Sequence, residues 1–211
     1  MLAPRKLALI TLLFASTAFA QDWRAQLKMV ETDLQTQHYG HARKWSIKLI
    51  NSMSEHLGTG RDAAYTMALP IAYRALAEKG LDKPEEADWY WHVATAVYPD
   101  IAKQDWSRFG AVGQWAASHT DDVEATETAV VAVKKVEPKC PLSAIQGSYY
   151  QPIRVGAIID TNGSARCPSL VQNTNAPTLA YAAFEAVKQW QFQTAAPARY
   201  EVTVNFAPPA Q

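Results

Sequence analysis

Residues 187–195 read VKQWQFQTA, and the spacing of the apolar side chains changes within this stretch. Up to Trp190, apolar residues recur every three or four positions, as they do on one face of a helix. Trp190 and Phe192 are two positions apart, which is the period of a strand. The stretch therefore predicts a helix that runs directly into an extended segment. The predicted core motif consists of Ala183, Ala186, Val187, Trp190 and Phe192.

The residues around this helix predict a small sheet. Apolar and polar side chains alternate over residues 153–160 and 200–206, and another strand is expected at about residues 165–172. Asn-Gly is the strongest short hairpin signal, so we place a turn after the first strand, at Asp160, Asn162 and Gly163. The resulting order is β-β-α-β, which we assign to a C-terminal domain of residues 138–211.

The N-terminal half predicts helices. Residues 23–119 are rich in Ala, Leu, Trp and charged residues, and apolar positions such as Trp23, Leu27, Val30 and Leu34 recur with helical spacing. Pro70 lies inside the apolar stretch of residues 61–79 and is expected to kink or split it. Asp82 is expected to cap the next helix, because a Pro and a Glu follow it in the first turn.

Two helix openings in this half have related sequences. They are Tyr39-Gly-His-Ala42 and Pro84-Glu-Glu-Ala87. Both resemble the opening of the second helix of tetratricopeptide repeats. This resemblance implies an all-α domain of stacked helical hairpins, residues 21–119, in an α+β chain.

The segment between the two halves, residues 120–137, is predicted to be a linker. Its first part is acidic, and residues 129–133 then form a short β-favouring run. This run is expected either to pair with a sheet or pack on the helical half, or to remain part of an unstructured linker. One specific hypothesis is that it pairs with residues 202–206 and covers the edge of the last strand.

The first twenty residues have the features of a secretory signal peptide. Arg5 and Lys6 precede an apolar run that ends at Ala18-Phe19-Ala20, so cleavage is expected after Ala20 and export to the periplasm follows.

The chain has 20 Lys and Arg and 20 Asp and Glu, and cleavage of the signal peptide removes two of the basic residues. The exported chain is therefore slightly acidic, which argues against a nucleic-acid partner.

The chemistry-bearing residues predict a disulfide but no catalytic or metal site. Cys140 and Cys167 are the two cysteines, and an even count in an exported chain indicates one bridge, worth about 3.5 kcal/mol from loop entropy. The alternative, a pair of metal-binding thiolates, lacks His or Cys neighbours in the sequence. No nucleophile, zinc-protease, phosphate-loop or dinucleotide motif occurs, so we predict a non-enzyme without a cofactor.

Four motifs in the C-terminal half resemble the C-terminal domain of the TonB family, over residues 138–207. They are Pro138-Lys-Cys-Pro141, Asp160-x-x-Gly163 at the end of a strand, Ala183-x-x-Ala186-Val187-x-x-Trp190-x-Phe192, and a final alternating strand that ends at Phe206. The helix with Trp-x-Phe is the most specific of the four.

The resemblance implies a periplasmic module that binds outer-membrane proteins by adding a peptide strand beside its own last strand. The strand-pairing residues would be Tyr200, Glu201, Val202, Thr203, Val204, Asn205 and Phe206. Lys139 and Cys140 match the family region that flanks the bound peptide. Because the signal peptide is expected to be removed, we predict a binding protein without a membrane anchor. The alternative is a helical-repeat scaffold for envelope assembly, whose sheet serves for docking or dimerisation.

Overall fold

A computed structural model describes residues 22–119, 124–126 and 128–207 of the chain. The predicted signal peptide, residues 1–20, lies outside the described residues. So does part of the predicted linker, including residues 120–123 and 127.

The helices predicted for the N-terminal half are present, and two more lie in the C-terminal half. The described α-helices are residues 22–35 (α1), Tyr39–His56 (α2), Arg61–Gly80 (α3), Pro84–Val97 (α4), Gly110–Ser118 (α5), Leu142–Gly147 (α6) and Pro177–Lys188 (α7). Two 3-10 helices, Pro99–Lys103 and Ser107–Phe109, join α4 to α5. α3 packs between α2 and α4.

The structure bears on two local expectations for these helices. Pro70 does not split its helix, because α3 runs through it and Pro70 itself is buried. A proline inside a helix costs about 3 kcal/mol, and packing of α3 against helices on both sides outweighs this cost. Asp82 does not cap α4 either, because it lies in the preceding turn with a φ of 57°, and α4 begins at Pro84 after Lys83.

The described strands form two small antiparallel sheets. Their bounds are Val131–Lys134 (β1), Ile153–Ile159 (β2), Ala165–Leu170 (β3), Gln191–Gln193 (β4) and Ala198–Val204 (β5). One sheet has the order β3-β2-β5, and the other pairs β1 with β4. The predicted mixed α+β class, a helical region followed by a small sheet, is confirmed.

The two-stranded sheet explains the change of period in VKQWQFQTA. α7 ends at Lys188, and Phe192 lies in β4 opposite Ala132 of β1. The expectation that residues 129–133 pair with a sheet is therefore correct. The more specific hypothesis that they cover residues 202–206 is wrong, because β1 pairs with β4 instead. A side-chain hydrogen bond holds these two strands together. Trp190, which directly precedes β4, donates from Nε1 to the carbonyl of Val136, which lies just after β1 (2.8 Å).

The turn between β2 and β3 is also fastened to β4. Asp160 Oδ1 accepts from the backbone N–H groups of Asn162 and Ser164, both at 2.9 Å, and Gly163 has a φ of 76°. The Phe192 N–H donates to the Gly163 carbonyl at 3.1 Å. A side chain at Gly163 would collide with the Phe192 carbonyl, so glycine is required there for space as well as for its backbone conformation.

The helical half and the sheet share one hydrophobic core. Helix α4 packs against both β3 and α7. The predicted motif residues are all buried in this core, with Ala183 and Val187 fully covered. Across the junction, Lys188 Nζ of α7 donates to Glu86 Oε2 (2.5 Å) and to the Tyr90 hydroxyl (3.2 Å) of α4.

Candidate functional site

The last strand, β5, lies at one edge of its sheet. It pairs with β2 along its full length, from Ala198 opposite Ile159 to Val204 opposite Ile153. Because the sheet order is β3-β2-β5, the other side of β5 has no neighbouring strand within this sheet. An edge of this kind presents backbone N–H and C=O groups that can pair with another chain.

Two hydrogen bonds show which backbone groups of β5 face outward. The Arg199 N–H donates to the Thr126 carbonyl (3.2 Å), on the side away from β2. The Arg154 carbonyl of β2 accepts from the Val171 N–H (3.0 Å), on the side away from β5, and Arg154 lies opposite Thr203. In an antiparallel ladder alternate residues face alternate sides, so Glu201 and Thr203 also direct their backbone groups outward.

A short segment already covers the beginning of this edge. Thr126 forms a parallel bridge with Ala198, and its N–H donates to the Pro197 carbonyl at 2.9 Å. Among the described residues, no segment pairs with the outer edge of residues 200–204. The open length is therefore sufficient for a short peptide strand.

The side chains of β5 and of the two residues after it alternate between the core and solvent. Tyr200 and Val202 are half-buried, Val204 and Phe206 are buried, and the Tyr200 ring lies 4.9 Å from the Phe192 ring. Burial raises the pKa of the Tyr200 phenol. Arg199, Glu201, Thr203 and Asn205 are exposed, and Glu201 accepts from Arg154 on the adjacent strand at 3.1 Å.

Lys139 and Cys140 do not lie at the β5 edge. They line a groove of about 740 Å³ whose walls come from α2, α6 and α7, and no residue of β5 contributes to it. The resemblance places these two residues beside a bound peptide, whereas the structure places them in the lining of a groove that Tyr181 and Glu185 of α7 also line. The groove and the strand edge are thus separate features.

The predicted disulfide is not formed, and both cysteines are free. Cys140 lies in the groove, whereas Cys167 lies on β3 beside Asp88 and His92 of α4. The number of cysteines says nothing about the distance between them in the fold. The sequence therefore contained no sign that Cys140 lies in the α2–α7 groove and Cys167 beside α4.

The structure also brings together polar side chains that sequence reasoning missed. Asp88, His92 and Cys167 offer ligand atoms that all lie within 4.8 Å of one another, and His119 Nε2 lies 2.7 Å from Asp88 Oδ1. Burial alone would raise the pKa of Asp88, but hydrogen bonds and charges from His92 and His119 outweigh burial and hold that pKa below its ordinary value. The sequence signal was the four-residue spacing of Asp88 and His92 on one helix face.

No protein-family model, curated protein or solved structure matches this chain. Within residues 22–119, 124–126 and 128–207, every helix is too short or too polar to cross a membrane.

Proposed function

We propose that this chain is an exported protein-binding module that accepts an extended peptide as an additional strand against β5. The observation that carries the proposal is the open edge at residues 200–204, where Glu201 and Thr203 direct backbone donors and acceptors away from β2. Binding by strand addition obtains its affinity from such main-chain bonds, and its specificity from the side chains on either side.

The rest of the fold suits this role because it makes the edge rigid. β5 is held along its whole length by β2, and Val204 at its end and Phe206 just beyond it are both buried. A strand already fixed in its bound conformation loses little conformational entropy on binding. The incoming peptide then bears most of the ordering cost.

The TonB-like motifs suggest the class of partner. The proposed partners are outer-membrane transport proteins that offer an extended segment in the periplasm. This assignment also rests on the proposed signal peptide in residues 1–20. A dimer formed by two β5 edges would use the same backbone groups and would compete with the partner.

The helical-scaffold alternative has less support. A repeat scaffold binds through an exposed concave face, whereas here α3 and α4 are largely buried and α4 is covered by β3 and α7. Three of the tryptophans in this half, Trp89, Trp91 and Trp106, are nearly fully buried and so cannot line a binding surface. The α2–α7 groove is the surface that this alternative would use.

A photo-reactive amino acid at Thr203 tests the proposal in cells that export the full chain. Irradiation is expected to join position 203 to an outer-membrane protein, because a peptide on the β5 edge would lie within reach of this exposed side chain. The control places the same amino acid at His38, which is exposed on the helical half. Equal adducts from positions 38 and 203 would indicate non-specific capture, and the absence of adducts from position 203 would reject strand addition.

A further inference from the structure

Four potential metal ligands converge where the helical half meets the sheet. Asp88 and His92 lie one turn apart on α4, His119 follows α5, and Cys167 lies on β3. Asp88 Oδ1 is 2.7 Å from His119 Nε2 and 3.4 Å from His92 Nε2. The ligand atoms of Asp88, His92 and Cys167 are all within 4.8 Å of one another.

These spacings are close to those of a tetrahedral zinc site. With Zn–N of about 2.0 Å and Zn–S of about 2.3 Å, the ligand atoms around the ion lie about 3.3–3.5 Å apart. The ligand atoms of Asp88, His92 and Cys167 would therefore have to approach one another by up to about 1 Å, and those of Asp88 and His119 would have to separate by about 0.6 Å. Side-chain torsions can supply both movements. Imidazole, carboxylate and thiolate together favour a borderline ion such as Zn²⁺ over Mg²⁺ or Ca²⁺, which prefer oxygen ligands.

The backbone of β3 is distorted at the cysteine. Cys167 has a φ of 44°, in the left-handed region that non-glycine residues rarely adopt. The ladder shifts there, since Gly156 and Ile158 of β2 face Ser169 and Arg166 of β3, which leaves one extra residue on β3. A bulge of this kind redirects a side chain, and here it accompanies a thiol that lies against the α4 carboxylate and imidazole.

The neighbouring cation does not oppose a metal at this position. Arg166 lies next to Cys167, but its guanidinium pairs with Glu85 Oε1 at 2.7 Å and with Asp160 Oδ2 at 3.2 Å. His119 is also held in place, because its ring packs on Trp115 (4.8 Å) and on His92 (5.4 Å). Ring contacts within the protein therefore orient both imidazoles.

We propose that Asp88, His92, His119 and Cys167 form a structural site for one transition-metal ion, with zinc preferred. Four protein ligands close the coordination sphere, which is the arrangement of a structural and not a catalytic zinc site. The ion would join α4, the end of α5 and β3, and so tie the helical half to the sheet. This role is independent of strand addition on β5.

Metal titration of the reduced, chelator-treated full chain tests the site. Zn²⁺ is expected to bind with one ion per chain and to raise the melting temperature, because only the folded state presents all four ligands. Co²⁺ is expected to give a near-ultraviolet sulfur-to-cobalt charge-transfer band. Cys167→Ser should remove this band. Cys167→Ser and His92→Gln should each weaken Zn²⁺ binding by more than about 100-fold. Loss of a residue that only hydrogen-bonds to a metal ligand typically weakens binding by about 10- to 100-fold.

Matched controls use the same residue types away from the cluster. Cys140→Ser changes the thiol in the groove and His38→Gln an exposed imidazole, and both should bind Zn²⁺ as the original chain does. Circular dichroism of the metal-free proteins shows whether each variant is folded. The proposal fails if the original chain binds no stoichiometric Zn²⁺ or shows no thiolate band with Co²⁺. It also fails if folded Cys167→Ser retains the affinity of Cys140→Ser.

Discussion

Replacing Thr203 with proline is expected to leave the protein folded but to weaken partner binding at least about tenfold, a loss of about 1.4 kcal/mol. The Thr203 N–H faces away from β2, so its removal costs no hydrogen bond within the sheet. Proline is tolerated on edge strands for this reason. The incoming peptide, however, loses a main-chain donor and meets the proline ring. Binding of the chain to the protein cross-linked from position 203 measures the effect.

Thr203→Val is the matched control for this experiment. It removes the hydroxyl group but keeps the backbone N–H, and valine suits a strand. Binding by Thr203→Val is therefore expected to remain close to that of the original chain. A Thr203→Pro variant that is folded and binds equally well would show that the partner does not pair with this edge.

Replacing Arg74 with alanine is expected to destabilise the protein by about 1–3 kcal/mol, the usual cost of leaving buried polar groups without a partner. The guanidinium carbon of Arg74 lies 3.6 Å from the centre of the Tyr90 ring, and Nη1 donates to the Tyr181 hydroxyl at 3.4 Å. Nε also lies 3.6 Å from Glu78 Oε1, a fully buried carboxylate oxygen that accepts a shorter hydrogen bond from Arg43 Nε at 2.6 Å. Arg74 therefore connects α3 to α4 and α7, and chemical denaturation measures the loss.

The destabilisation by Arg74→Ala is also expected to depend on pH. Burial raises the pKa of Glu185, and the charge of Arg74 opposes this rise. Without Arg74 that pKa rises further, so the folded state binds a proton that the unfolded state has released. Stability is then lost as pH rises above the unfolded pKa of about 4.3, and the difference from the original chain should be larger at pH 7 than at pH 4.

Arg61→Ala is the control for Arg74→Ala. Arg61 also forms an ion pair, with Asp100 Oδ2 at 2.9 Å, but both side chains are largely in water. Its removal is expected to change stability little at either pH. Equal losses for Arg61→Ala and Arg74→Ala would contradict the role assigned to burial.

The local parts of the fold could be predicted from the sequence because they depend on neighbouring residues. The change of period at Trp190 predicts both α7 and the extended segment that became β4, and Asn162-Gly163 predicts the position of the β2–β3 turn. Pairing partners could not be predicted in this way. Whether residues 129–133 meet β4 or β5 depends on contacts between distant parts of the chain, and periodicity carries no information on them.

The sites show the same limit. Alternation identifies residues 200–206 as a strand, but only the sheet order shows that β5 lies at an edge and which of its backbone groups face outward. The side chains of the metal cluster come from three elements, so no compact ligand motif exists in the sequence. Asp88 and His92 alone have a recognisable spacing, and a cysteine count pointed to a bridge with Cys140 instead.

The most direct test of strand addition is amide hydrogen exchange at β5, with and without a saturating amount of the partner cross-linked from position 203. In the free protein, the N–H groups of Tyr200 and Val202 face β2 and should exchange slowly, whereas those of Glu201 and Thr203 face outward and should exchange faster. Partner binding is predicted to slow exchange at Glu201 and Thr203. Unchanged exchange at these two amides, with new protection in the α2–α7 groove, would contradict strand addition.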